Sequence, residues 1–269
     1  MSALTFTLKK PLQFSLNCAA LTPDNLQGLS IAKIAATPLI YGKQAYTVND
    51  FFDISGENSQ DIHFKNSCDK LDYLGAHMSS GCITIEGEAG SYLGFAMAQG
   101  KIKCLGNTLD YAACNMAGGL ITIHGNTGNF LGGASAGLRK GMRGGTVIVK
   151  GNAGDRVGDQ MRRGLILIEG NVGDYCGSRM IAGTIGVLGS IGQYLGFSMQ
   201  RGTLLTVQTP KLIATIQDCG THSLPFLTLL FKSFQQYDTK FKLLTLNRVQ
   251  RYIGDAACNG NGEILCIKN

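Results

Sequence analysis

The sequence repeats itself about every 19 residues, and this narrows the fold more than any single motif does. Strand-like segments begin at Gly81, Gly100, Gly119, Gly145, Gly164, Gly183 and Gly202, in steps of 19, 19, 26, 19, 19 and 19. One step therefore carries a seven-residue insertion. A weaker copy is expected to begin at Ile62, again 19 residues upstream. Each full unit reads like Gly81-Cys-Ile-Thr-Ile-Glu-Gly87, a turn, Gly90-Ser-Tyr-Leu-Gly94, and a stretch ending at Met97. Apolar residues alternate with others in its first part, which is the period of a strand. A unit this short cannot bury its own apolar face, so copies must stack. The expectation is an all-β core: a right-handed parallel β-helix of about 19 residues per coil, about 38 Å long for eight coils at the usual strand spacing.

The columns formed by stacking bear on this. With the insertion removed, Met78, Met97, Met116, Met142, Met161, Met180 and Met199 share one position. Tyr73, Tyr92, Tyr111, Phe130, Tyr175 and Tyr194 share another, interrupted by Arg156. Gly75, Gly94, Ala113, Gly132, Gly158, Gly177 and Gly196 form a small-residue column. Methionine packs adaptably in cores, so its ladder is read as core and not as a soft-metal site. Of the 37 glycines, 30 lie between Gly75 and Gly202, too irregularly for collagen. With 44% hydrophobic residues the chain is not a disordered segment either.

Three regions follow: an N-terminal cap over 1–60, the repeat domain over 61–209, and a C-terminal cap over 210–269. The first is expected to be mixed α/β, with helix starts at Thr22-Pro23-Asp24 and Ser30. The last is expected to be helical, with an amphipathic helix from Leu224 to Tyr237 that buries Leu227, Leu230, Phe231 and Phe234.

Chemistry is sparse. No phosphate loop or dinucleotide fingerprint is present. His63, His77, His124 and His222 are scattered, and Cys219 with His222 makes at most a structural pair, so neither a metal nor a catalytic residue is assigned. The column Asp72, Ser91, Asp110, Asn129, Asp155, Asp174, Gln193 reads as turn formers. Nine cysteines without a CxxC pair, several of them in apolar strands (Cys82, Cys104, Cys176), suit reduced thiols. With no signal-peptide pattern and no membrane-length apolar run, a cytoplasmic protein is expected, with no membrane contact. A net charge of +6 permits an acidic partner without requiring nucleic acid.

Two surface features remain. Arg139, Lys140, Arg143, Arg162, Arg163 and Arg201 form a basic strip, with Arg143 and Arg162 in one column and Arg163 and Arg201 in the next. Such a strip suits a chain of carboxylates or phosphates. The alternative is a solvated face partly neutralised by Asp155, Asp159 and Asp174. Ile148, Leu165, Leu167, Leu188 and Leu205 occupy outward strand positions. That apolar row is assigned to a partner interface, with cover by the terminal segments as the alternative.

The repeat Gly-x-Ile-x-Ile-x-Gly-Asn-x-Gly-Asp-x-x-Gly-x-x-Met, with the inserted Arg139-Lys-Gly-Met-Arg-Gly-Gly145, resembles the family of formylmethanofuran dehydrogenase C subunits. The same repeat type occurs in the C-terminal domain of glutamate synthases. The resemblance covers about residues 50–207. Asp218-Cys-Gly-Thr-His222, Arg251-Tyr-Ile-Gly-Asp255 and Gly262-Glu-Ile-Leu265 look like the bacterial branch, found in formyltransferase/hydrolase complexes. The resemblance implies a right-handed parallel β-helix and a non-catalytic, structural and coenzyme-binding role in tetrahydromethanopterin-linked one-carbon metabolism. It implies a hetero-oligomer with amidohydrolase-like, B-type and formyltransferase subunits, which convert formyl groups to formate on a methanofuran-type coenzyme. That coenzyme's glutamate-rich tail would give the basic strip its purpose. The rival reading is a free-standing β-helix polysaccharide lyase or hydrolase, which needs paired carboxylates or a calcium-plus-base site on an outer face.

Overall fold

Successive repeats hydrogen-bond to one another in parallel and in register. In the computed structural model, which describes residues 2–245 and 248–268, the chain is mostly β with few helices. A thirteen-stranded, mostly parallel sheet dominates, and a small four-stranded sheet forms from the N-terminal part. The long run is built from Asn58–Ser67, Cys82–Gly87, Lys101–Cys104, Leu120–Ile123, Arg143–Val149, Arg163–Ile168, Thr184–Val187 and Thr203–Thr206, each parallel to the next. One apolar row runs through it: Ile83, Ile102, Ile121, Val147, Ile166, Ile185 and Leu204 are register partners, and all are buried. A second ladder of single parallel bridges links Ala89, Thr108, Thr127, Ala153, Val172 and Ile191. Each repeat thus supplies two short extended stretches, as its length requires.

The sequence columns explain the stacking. The seven methionines of this column are fully buried, and from Met78 to Met180 the methyl group lies against the strand-opening glycine two repeats on, as Met97 does on Gly119. A Cβ on Gly164 would stand 2.7 Å from Met142 Cε, and one on Gly183 would stand 2.9 Å from Met161 Cε. The small column meets the apolar row in the same way: side chains on Gly132 or Gly158 would collide with Cδ1 of Ile166 or Ile185. Ala113 is the one non-glycine in that column, and the residue in the corresponding opposite place is Val147, which lacks the δ-methyl. The exchange of a hydrogen for a methyl on one side is matched by loss of a methyl on the other.

Turns are stitched by side chains. Asn107, Asn126, Asn152 and Asn171 each accept, through Oδ1, the backbone N–H one repeat on, at 2.8–2.9 Å. Asp72, Asp110, Asn129, Asp155 and Asp174 do the same at 2.7–2.8 Å. The carboxylates of this column are occupied by the backbone, as turn formers should be. The aromatic rings stack at 4.7–4.9 Å between centroids, the spacing of neighbouring strands. Arg156 fills the gap, with its guanidinium 4.6 Å from the Tyr175 ring centre and 5.9 Å from that of Phe130.

Both flanks depart from expectation. The upstream copy begins at Gln60 and not at Ile62, because Ile62 pairs with Ile83, an offset of 21 that a bulge between Lys65 and Ser67 begins to absorb. The strand Ala3–Leu8 extends the parallel ladder beyond it, with Leu4 opposite Ile62. The N-terminal helices Pro23–Leu26 and Ile31–Ala35 start where Thr22 and Ser30 cap them. At the other end the segment is not mainly helical. Its helix, Phe226–Phe234, is joined by strands Asp218–His222, Arg248–Ile253 and Glu263–Lys268. Glu263–Lys268 pairs in parallel with Thr203–Thr206, and Gly262 receives Met199 as other glycines receive the other methionines. Asp255 ties this end to the repeats through the N–H of Ser198 at 2.8 Å. Burial would raise its carboxyl, but hydrogen bonds from Thr215, Ser198 and Ala257 outweigh that and hold it below the usual range.

Among the described residues, the nine cysteines form no disulfide. Cys176 lies in a turn and not in a strand, at 0% exposure. Burial pushes the Cys104 thiol up to about 11 and those of Cys114 and Cys176 up to about 12. A brief iodoacetamide pulse at pH 8 should therefore label exposed Cys219 in the native protein. Cys18, Cys104, Cys114 and Cys176 should react only after denaturation, as read by peptide mass spectrometry. Labelling of Cys176 without unfolding would contradict this packing. Among the described residues, no helix is long and apolar enough to cross a membrane.

Candidate functional site: a basic strip and a cleft at the insertion

The inserted segment leaves the stack after Gly133 and returns at Gly141, so its middle, Ala136–Lys140, is exposed. It is pinned at both ends. Ala134 N–H reaches Asp159 O at 3.2 Å, Gly141 N–H reaches Gln160 O at 3.0 Å, and Asn115 Nδ2 donates to Ser135 Oγ at 2.9 Å. This places Arg139 and Lys140 beside the openings of the next strands. Arg143 and Arg163 are exposed register partners in that ladder, across an irregularity made by the extra glycine of Gly144-Gly145. Arg162 is half-buried, its Nη2 3.5 Å from Arg139 O, and its Nε is buried with no hydrogen-bond partner. Like charges facing each other across strands repel, so the arrangement favours an anion between them.

Among the described residues none of the six strip cations forms an ion pair with a carboxylate. The suggested neutralisers are engaged elsewhere. Asp155 and Asp174 hold backbone N–H groups, and Asp159 pairs with Arg179. The strip is not continuous, however. Arg163 and Arg201 lie two repeats apart with Ala182 between them, about 10 Å by strand spacing. The structure gathers Arg139, Arg143, Arg162 and Arg163 and leaves Arg201 apart.

The apolar row needs a correction. Ile148, Leu167 and Leu205 are at most 1% exposed, and Leu165 and Leu188 are partly buried. The C-terminal segment covers them: Leu227, Phe231, Phe234 and Phe241 pack on Leu167 and Leu205. Tyr237 meets the Thr146 hydroxyl at 3.1 Å, and Asp238 pairs with Lys150. The row is this chain's own second core and not a partner interface. An outward apolar position cannot reveal by itself whether its cover comes from the same chain.

Sequence reasoning also missed a cleft of about 390 Å³ lined by Tyr111, Phe130, Ser135, Arg139, Gln160 and Arg179. Asp159 forms its base at 2% exposure, accepting from Ser178 Oγ at 2.7 Å and Arg179 Nε at 2.9 Å, with Arg179 Nη2 closing the pair. Hydrogen bonding to Asp159 raises the Arg179 guanidinium's already high value. The available signal was a carboxylate in a column otherwise filled by Ala76, Phe95, Cys114, Gly133, Ser178 and Phe197. Near the C-terminus, His222 Nε2 meets the Cys219 carbonyl at 2.7 Å and not its thiol. Among the described residues, no group of three or more His, Cys, Asp or Glu side chains could hold a metal ion.

A family model, the GXGXG motif, matches residues 58–218. A chain of the X-ray crystal structure of the formyltransferase/hydrolase complex (FhcABCD) from Methylorubrum extorquens in complex with methylofuran superimposes with a TM-score of 0.92. It is 35% identical, over 98% of this chain and 100% of that one. This chain belongs to the formylmethanofuran dehydrogenase C-subunit family. Curated relatives are likewise named as C subunits. The C subunit of the tungsten-containing formylmethanofuran dehydrogenase 2 of Methanococcus maripaludis is 32% identical over 96 residues, 35% of each chain. The C subunit of the formyltransferase/hydrolase complex Fhc of Methylorubrum extorquens is 37% identical over 89 residues, 33% of this chain and 34% of that one. The aligned part spans about a third of the length of these curated relatives.

Proposed function

We propose that this chain is the structural and coenzyme-binding C subunit of a cytoplasmic formyltransferase/hydrolase complex, itself without catalytic residues. The observation that carries this reading is the end-to-end likeness to a chain of the complex crystallised with methylofuran. In this reading the parallel ladders wind as a right-handed β-helix with one coil per repeat. The partners are an amidohydrolase-like subunit, a B-type subunit and a formyltransferase. Together they take a formyl group from tetrahydromethanopterin to a methanofuran-type carrier and release it as formate. The chain contributes a rigid rod and a basic surface. Arg139, Lys140, Arg143, Arg162 and Arg163, with Arg201 further along, hold the carrier's glutamate-rich tail. Arg139, Arg143, Arg162 and Arg163, gathered around one insertion and without carboxylate partners among the described residues, support that role, since each carboxylate bound there gains a charge-assisted hydrogen bond.

The test is native mass spectrometry of the complex from its own source. It should show this chain together with larger partner subunits and a bound furan coenzyme. Reversing two charges, with Arg143→Glu and Arg162→Glu in an assembled complex, should lower retained coenzyme by at least about tenfold. Unchanged retention in an intact complex would overturn the tail-binding role, and a lone monomer in the source extract would overturn the subunit reading.

A further inference from the structure

We infer that the cleft beside the insertion is a seat for the carboxylate-bearing end of the chain held on the strip. This deepens the preceding reading and rests on it. The geometry begins with Arg179. Of the five N–H donors of a guanidinium, one on Nε and one on Nη2 are committed to Asp159. The edge formed by Nη1 and the second Nη2 hydrogen remains open, and it is the edge that takes a carboxylate in bidentate fashion. Buried Asp159 fixes the plane of that fork, while the Arg179 side chain stays 49% exposed on the cleft side.

The remaining walls suit the same ligand. Arg139 lines the cleft, and its carbonyl accepts from Arg162, so the strip begins where the cleft ends. The Asp159–Arg179 pair is neutral overall, which leaves Arg139 as an uncompensated positive charge in the cleft. Gln160 also lines it, and among the described residues its side-chain amide makes no hydrogen bond, so it has donors to offer. The rings of Tyr111 and Phe130 give an apolar wall for methylene groups. Because the insertion is tied down at Ala134, Ser135 and Gly141, the cleft exists before a ligand arrives and binding costs little ordering. A terminal glutamate carries two carboxylates on a short methylene stem. One fits the open fork of Arg179, the other Arg139, and the stem the aromatic wall.

The experiment titrates two probes into the full-length chain by calorimetry. One is γ-linked triglutamate, and the other is the same peptide with both carboxylates of its last residue amidated. The acid should bind at least about tenfold more tightly than the amide, as expected for loss of one charge-assisted bidentate pair. Ala136→Trp, on the exposed insertion, fills the cleft while leaving the Asp159 and Arg179 side chains themselves unchanged. It should abolish the preference for the acid while leaving amide binding unchanged, with an unaltered circular dichroism spectrum as the check on folding. Equal binding of acid and amide, or a preference insensitive to Ala136→Trp, overturns the cleft and leaves the strip standing. Failure of both probes to bind overturns the strip, and the cleft with it.

Discussion

Gly164→Ala should destabilise the protein by about 2–5 kcal/mol, a large effect for one added methyl group. Two causes combine. Gly164 sits at φ +109°, where a side chain is strained at a cost of about 1–2 kcal/mol. A Cβ there would also lie 2.7 Å from Met142 Cε and 2.9 Å from the Gly145 carbonyl oxygen, and overpacking of that kind costs about 1–3 kcal/mol. Met142→Ala alone should cost about 2–5 kcal/mol through its cavity. Together the two should cost less than their sum by about 0.5–3 kcal/mol, because the truncated methionine leaves room for the new methyl. Denaturant midpoints of the four proteins of this cycle decide the matter. Strict additivity would show that methionine and glycine are not locked together, and only the backbone part of the penalty would remain.

Leu167→Asp should release the C-terminal cover. The leucine is 0% exposed and packs against Leu227, Phe231 and Phe234. An ionised carboxylate there has no partner and no water, and such a change costs more than about 4 kcal/mol. Hydrogen exchange gives the readout. Amides of Phe226–Phe234 should lose protection while those around Ile83–Ile85 keep theirs. Leu229→Asp is the control: it lies on the same helix but is 72% exposed, and should change stability by no more than about 0.5 kcal/mol. If Leu167→Asp left the helix amides protected, the second core would not be what holds this segment on the sheet.

The parts of the fold that follow from translation along the stack could be read directly. Met78 to Met199, the stacked tyrosines and the Asn and Asp turn columns each demand one environment repeated at a fixed interval, and the sequence states that interval. Elements that join the stack from far away could not be read in this way. Glu263–Lys268 continues the ladder 60 residues on from Thr203, and only Gly262 followed by the short apolar run Ile264-Leu-Cys-Ile267 hints at it. The apolar row on Leu167 and Leu205 was visible, but its cover depends on where a distant helix docks. At the candidate site the cations of the insertion were legible because charge and spacing sufficed. The cleft was not. Its central fact, the burial of Asp159 beneath Arg179, joins two residues one repeat and one position apart, and the column pattern treats them as separate.

The interruption of the aromatic stack bears on how the chain finds its register while folding. A stack of near-identical units invites misalignment: a strand docked one unit out would still meet a methionine with its glycine and a branched residue with its small one. Three features are not interchangeable. Arg156 belongs between Phe130 and Tyr175, Ala113 tolerates only the shortened Val147 opposite it, and the 26-residue unit occurs once. All three fall in the middle of the array. They act as an address that an off-by-one arrangement cannot satisfy, so the irregular centre of the array, and not its regular ends, sets the alignment of the rest.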